Sequence, residues 1–116
     1  MLQKWLVAFG LLFLSFGVLG FINNPIVGVF PVNVAHNILN SLLGILTLAF
    51  AFKGPGPAKK FIIALAVLFT TSATLGLIFP NMMRSALAIN RADNLLNWFM
   101  AILFITLSIW ESAKSS

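Results

Sequence analysis

The stretch VNVAHNILN at residues 32–40 returns later in the chain as INRADNLLN at residues 89–97. The two stretches agree at every Asn and at the Ala, and His36 of the first stands where Asp93 stands in the second. Leu-Gly at residues 19–20 likewise returns at residues 75–76. We therefore predict a tandem repeat of a two-helix hairpin, with repeat one at residues 5–52 and repeat two at residues 60–110.

The composition is that of an integral membrane protein. The chain of 116 residues is 60% hydrophobic and only 8% charged, whereas soluble domains are about 25% charged. This length predicts a single domain, residues 1–116. The absence of Cys excludes disulfides and thiolate chemistry. The net charge of +5 comes from basic residues that flank the apolar runs, so we do not expect nucleic-acid binding.

Four apolar runs have the length that a membrane-spanning helix requires. They cover about residues 5–22, 33–52, 60–79 and 90–110, and the breaks between them contain Asn23-Asn24-Pro25, the KGPGP run at 53–57, and Pro80-Asn81. The runs lack the alternation typical of membrane barrels. The first run lacks a small-residue cleavage site and is predicted to be a retained span. The predicted fold class is an all-α membrane protein with four transmembrane helices and a pseudo-two-fold axis along the membrane normal.

The basic residues predict the orientation. Four spans put both termini on one side of the membrane, and the Lys residues fall on that side while Arg84 and Arg91 fall on the other. By the positive-inside rule, both termini are expected in the cytoplasm. The residues on the cytoplasmic side would be Lys4, Lys53, Lys59, Lys60 and Lys114.

The two Asn motifs begin the second and fourth spans. Asn33 and Asn90 each precede a long apolar run and are predicted helix N-caps. The following Asn residues recur at spacings of four and three, which places them on one helix face. We expect these faces of spans two and four to pack together, with His36 close to Asp93. The interhelical polar seam, or alternatively a polar pocket open to the outside, would comprise His36, Asn37, Asn40, Asp93, Asn94 and Asn97.

Catalytic and cofactor chemistry find little support in the sequence. No nucleophile beside a base, no paired carboxylates and no phosphate-binding glycine loop can be assembled, so we expect no enzyme. One His and one Asp are too few ligands for a metal site. His36 could bind a chlorophyll or haem as a lone ligand, but we predict no cofactor.

Three stretches carry a resemblance to a known family. GVLGFI at residues 17–22, VGVFPVNVAHNILN at 27–40 and INRADNLLN at 89–97 resemble DUF4383, a family of small bacterial four-helix membrane proteins of unknown function. The resemblance covers nearly the whole chain. It implies a multi-pass protein of the bacterial inner membrane, cytoplasmic or photosynthetic, and brings no activity. The family often has His at the positions of Asn40 and Asn97, and this departure weakens a metal or pigment interpretation.

Three functions are compatible with the sequence. The leading expectation is a non-catalytic accessory or assembly subunit of a larger membrane complex, respiratory or photosynthetic, with lipid and other membrane subunits as partners. The alternative is a homo-oligomeric channel or carrier for a small polar solute. The third is pigment or haem binding through His36.

Overall fold

The computed structural model describes residues 2–22 and 33–115, with side chains through residue 111. The described residues form five helices: α1 (Leu2–Ile22), α2 (Val34–Lys53), α3 (Pro55–Ile78), α4 (Pro80–Leu87) and α5 (Arg91–Ser115). The predicted break at Asn23-Asn24-Pro25 and the family-like residues 27–32 lie outside the described part.

Four of the helices are long and apolar enough to cross a membrane. They are α1, α2, α3 and the Arg91–Glu111 part of α5, with mean hydropathies between 1.5 and 2.3. Large apolar side chains also cover the outside of the bundle, as Ile45 and Ile109 illustrate with 55% and 65% exposure. Such a surface is unfavourable in water and favourable in lipid. The prediction of an all-helical protein with four candidate membrane spans is confirmed at this level.

The helices pack as two hairpins. α2 lies along α1, and α5 lies along α3. Glycines permit the close approach of α1 and α2, because a Cβ added to Gly44 would stand 2.6 Å from the Leu14 backbone N and 2.9 Å from the Gly10 carbonyl O. Spans two and four do not form the close pair that was predicted, since α2 packs mainly on α1 and α5 packs mainly on α3.

Aromatic rings join the two hairpins at the centre of the bundle. The rings of Phe13 in α1 and Phe69 in α3 stack with centroids 5.5 Å apart and an interplanar angle of 14°. Phe104 of α5 is fully buried and meets Phe9 of α1 edge-on at 4.8 Å. Such pairs add to the stabilisation from burial alone.

A single residue of the KGPGP run separates two helices. α2 ends at Lys53 and α3 begins at Pro55, so Gly54 alone separates them, with a φ of 132° that favours glycine. The expectation that span three starts near residue 60 is therefore wrong. The first backbone N–H groups of a helix have no intrahelical partner, so Pro55 and Pro57 are tolerated in its first turn.

The short helix α4 was not predicted from the sequence. Two turns between Pro80 and Leu87 give a weak sequence signal, and burial of Met83 at 5% exposure holds the helix against the bundle. α4 ends at Ala88, which has a left-handed conformation with φ 57°. The Ala88 backbone N–H donates to the Arg84 carbonyl at 2.9 Å, a common helix ending. The capped end of the bundle is defined here as α4 with the first turns of α2 and α5.

Candidate functional site

Asn33 fixes the start of α2 and links it to α4. It is the N-cap residue: its side-chain oxygen accepts from the His36 backbone N–H at 2.9 Å. The side-chain nitrogen of Asn33 donates to the Ala86 carbonyl at 2.9 Å. Both ends of this amide are therefore used, which sets the position of His36 on the first turn relative to α4.

Asn90 and Asp93 cap α5 reciprocally. The Asn90 side-chain oxygen accepts from the Asp93 backbone N–H at 2.9 Å, and the Asp93 Oδ2 accepts from the Asn90 backbone N–H at 3.1 Å. This arrangement is a capping box. The Asp93 side chain is 5% exposed, and the cap holds one of its oxygens in place.

A small polar cavity lies between the hairpins at the capped end. It has a volume of about 60 Å³. His36 and Asn40 of α2 line it together with Asp93 and Asn97 of α5. Its remaining walls are apolar and come from α1, α3 and α5: Leu12, Phe13, Phe16, Phe69, Leu96 and Met100.

A second cavity shares part of the polar lining. It has a volume of about 120 Å³ and is also lined by His36, Asn40 and Asn97. Ser72 and Leu87 are among its other wall residues. The polar side chains can therefore meet small molecules from either of two adjoining spaces.

Two of the six residues predicted for the polar seam or pocket do not line either of these cavities. Asn94 contacts Gly76 of α3 within its own hairpin. Asn37 is 3% exposed. The Oδ1 atoms of both amides are buried without a hydrogen-bond partner in the described part of the chain. The structure thus divides the Asn residues: Asn40 and Asn97 line the cavity, whereas Asn94 packs within a hairpin.

His36 and Asp93 meet at the same cavity without bonding to each other. The His36 ring forms a hydrogen bond with the Leu87 backbone, and its Nδ1 is buried with no partner among the described residues. The hypothesis that the two side chains come close is supported only to the extent that both line one cavity. A ring nitrogen without a partner, on a residue that lines a cavity with a carboxylate and two amides, can donate to or accept from a small polar molecule.

A third pocket at the capped end is lined by two arginines that had served only to predict the orientation of the chain in the membrane. It has a volume of about 430 Å³ and lies where α3, α4 and α5 meet. Arg84, Arg91 and Trp98 are among its wall residues. The place of Arg84 depends on α4, so its proximity to Arg91 could not be read from the sequence.

No three His, Cys, Asp or Glu side chains come together in residues 2–22 and 33–111. His36 and Asp93 would offer a metal ion too few strong ligands.

A family model covers almost all of this architecture. The model described as domain of unknown function, DUF4383, matches residues 3–110. The chain belongs to the DUF4383 family. The matched range includes both hairpins and every residue of the polar cavity. No curated protein and no solved structure matches the chain.

Proposed function

We propose that this DUF4383 protein is a non-catalytic membrane protein that binds a small polar solute in the cavity between its hairpins. One observation carries the proposal: His36 and Asn40 of one hairpin converge with Asp93 and Asn97 of the other on a single cavity. Polar groups buried in a membrane protein are costly unless they find partners. Ionisable residues within membrane spans are therefore candidate functional sites.

The lining defines the chemistry of the ligand. Amides supply donors and acceptors, the carboxylate supplies an acceptor, and the His36 ring supplies a free nitrogen. A volume of about 60 Å³ accommodates only a few non-hydrogen atoms, since one water requires about 10–15 Å³ of such cavity space. A small cation such as ammonium, or a small neutral amide or alcohol, fits this description.

The floor of the cavity favours a binding site over an open channel. Phe13 and Phe69 line the cavity and belong to the stacked aromatic core. Passage of a solute along the bundle axis would require these rings to separate. A homo-oligomeric channel would have to form its pore between copies, so a binding protein or carrier is the better-supported form of the transport alternative.

We also propose that the two hairpins are copies of one unit, residues 5–52 and 60–110, related by an axis along the membrane normal. Phe13 and Phe69 occupy equivalent places in the copies and stack on each other, as expected for residues at such an axis. Asn33 and Asn90 each accept from the backbone N–H three residues further on. Both observations support the repeat.

The proposed topology has both termini in the cytoplasm of a bacterial inner membrane, with the capped end and its cavity outside. The argument is the positive-inside rule applied to the Lys residues at one end and Arg84 and Arg91 at the other. An outward cavity would take its ligand from the external solution or the outer leaflet.

An accessory or assembly subunit of a larger membrane complex, respiratory or photosynthetic, is the second candidate. The connection between α2 and α3 favours it, because Gly54 alone joins these two spans. At that end of the bundle, so little chain outside the spans leaves the helix surfaces as the main place for partner contacts. Purification in mild detergent tests this function, and a reproducible membrane-protein partner would support it.

Pigment or haem binding through His36 is less well supported. A tetrapyrrole ring is much larger than the cavity of about 60 Å³ beside His36. The ring of His36 is also engaged by the Leu87 backbone. An absorption spectrum of the purified protein provides the test.

His36 is the only histidine in the chain, which makes it a specific reporter of the cavity. We suggest labelling the imidazole with ¹⁵N and recording its NMR signals while ammonium, methylammonium, urea or glycerol is added. A saturable shift with one of these probes is expected. The double variant Asn40→Leu with Asn97→Leu should abolish it, because it removes both amides from the wall.

A matched control removes two polar groups away from the cavity. The hydroxyls of Thr71 and Thr106 are exposed and bond the carbonyls of Val67 and Ile102 in their own helices. Thr71→Val with Thr106→Val should leave the saturable shift intact. If none of the four probes shifts the His36 signals of the wild-type protein, the solute-binding proposal fails.

A further inference from the structure

The pocket of about 430 Å³ at the meeting point of α3, α4 and α5 is separate from the polar cavity described above. Apart from the apolar residues, its lining includes Arg84, Asn90, Arg91, Asn94 and Trp98. None of these residues lines the cavity that contains His36 and Asp93. The two sites are therefore distinct.

Two arginines from different elements point to an anionic ligand. Arg84 lies in the last turn of α4 and Arg91 is the first residue of α5, and both line the same pocket. Guanidinium groups match phosphate oxygens in geometry and bind them through paired hydrogen bonds. Among the described residues that line the pocket, none carries a carboxylate.

The rest of the lining is suited to a molecule that is partly apolar. Leu77, Pro80, Leu95 and Trp98 form walls beside the charged residues. Trp98 lies seven residues beyond Arg91, about 10 Å further along the helix. The lining therefore presents charged and apolar groups that are about as far apart as a lipid headgroup and the start of its acyl chains.

The position of the arginines relative to the spans selects the source of the phosphate. Arg91 begins the candidate span Arg91–Glu111, and α4 follows directly after the end of the span Pro55–Ile78. Side chains at span ends lie at the level of the lipid headgroups. We propose that this pocket binds the phosphate of an anionic phospholipid through Arg84 and Arg91, with an acyl chain against Leu95 and Trp98.

Trp98 offers a direct readout of the occupied pocket. Trp5→Phe with Trp110→Phe leaves Trp98 as the sole tryptophan of the full chain. This protein is reconstituted in phosphatidylcholine vesicles that contain a minor fraction of phosphatidylglycerol with brominated acyl chains, since bromine quenches nearby tryptophan fluorescence. We expect stronger quenching than with the same fraction of brominated phosphatidylcholine. Equal quenching by the two lipids would overturn the proposal.

Charge variants locate the effect. In the sole-tryptophan protein, Arg84→Gln with Arg91→Gln should weaken the preference for phosphatidylglycerol by roughly tenfold or more, as expected for two basic groups acting on one anionic headgroup. Each single Gln variant should lose part of it, which gives a second measurement if the double variant does not fold. Both arginines are exposed, so their replacement leaves the core unchanged.

The matched control removes the same charge from the opposite end of the bundle. Lys4 and Lys60 are exposed, and Lys4→Gln with Lys60→Gln should keep the preference. An equal loss in this control would show a bulk charge effect and contradict the site. Inorganic phosphate and glycerol 3-phosphate are added in a separate arm. Relief of quenching by either soluble anion would assign the pocket to free phosphate and overturn the lipid proposal.

Discussion

The helices α1 and α2 approach each other closely at Gly44, and its replacement tests the hairpin packing directly. In Gly44→Ala the new Cβ would stand 2.6 Å from the Leu14 backbone N and 2.9 Å from the Gly10 carbonyl O. Non-bonded heavy atoms are most stable at about 3.5–4.0 Å. Both neighbours are backbone atoms of α1, so relief requires the two helices to move apart by about 1 Å.

The size of the effect follows from two opposing contributions. Overpacking of a close-packed interface typically costs about 1–3 kcal/mol, and the upper part of this range, about 2–3 kcal/mol, applies here because the atoms in the way belong to the backbone and not to a flexible side chain. Replacement of Gly by Ala within a helix stabilises the folded state by about 1 kcal/mol, because the unfolded chain then has less backbone entropy to lose. We therefore expect Gly44→Ala to lower the free energy of unfolding by about 1–2 kcal/mol, with a larger loss for Gly44→Val.

Titration with sodium dodecyl sulfate in mixed micelles, followed by tryptophan fluorescence, measures this free energy. Ala49 lies on the exposed face of the same helix, so Ala49→Val adds carbon atoms without a packing conflict and should change stability by less than about 0.5 kcal/mol. If Gly44→Ala were as stable as the wild type or more so, the two backbones could not approach as described, and the reasoning would be refuted.

Three further substitutions test the core, the cap and the central stack. Thr47→Val removes a buried hydroxyl without a partner in the described part of the chain and should raise the free energy of unfolding by about 1 kcal/mol in the same titration; a lower value would mean that the hydroxyl is bonded. Asn33→Ala should cost about 1 kcal/mol and speed hydrogen exchange of the His36 amide, which Asn33 caps, whereas Asn33→Asp keeps the acceptor and should preserve protection. Phe69→Leu should lower the free energy of unfolding by about 1–2 kcal/mol through loss of its aromatic contacts. The control Phe99→Leu changes a side chain that is 60% exposed and should be neutral. Equal losses in the two variants would argue against a stacked core.

The four spans could be predicted because length and uniform apolarity are sufficient for that inference. The pairing of the helices could not be predicted, because two features of α2 favour different neighbouring helices. The Asn residues of α2 suggested packing against the Asn residues of α5, whereas Gly44 packs against α1. Whether two helix backbones can approach each other at a glycine depends on fractions of an ångström, and the spacing of residues in the sequence does not reveal this.

The division of the Asn residues has a geometric origin. Asn94 and Asn97 are three residues apart, which places them about 60° from each other around the helix. In a narrow stripe this angle looks small, yet it separates the face toward Gly76 from the face toward the cavity. The sequence therefore identified the polar residues of the site, and the tertiary packing decided which of them line it.

The two copies of the polar motif differ most in chemistry at His36 and Asp93, and their caps use these residues differently. Asp93 contributes both its backbone N–H and a carboxylate oxygen to the cap with Asn90. His36 contributes only its backbone N–H to the cap with Asn33, so its ring is not part of the cap and its Nδ1 has no partner in the described part of the chain. A ligand in the cavity would thus meet a carboxylate fixed by the cap and a His36 ring that the cap does not use. Replacement of His36 by Asp would repeat the second motif in the first and place two carboxylates at one small cavity, whose mutual repulsion opposes ionisation of both. The difference between the copies therefore gives the cavity a donor-capable group in addition to its anionic one, which suits a ligand that both donates and accepts hydrogen bonds.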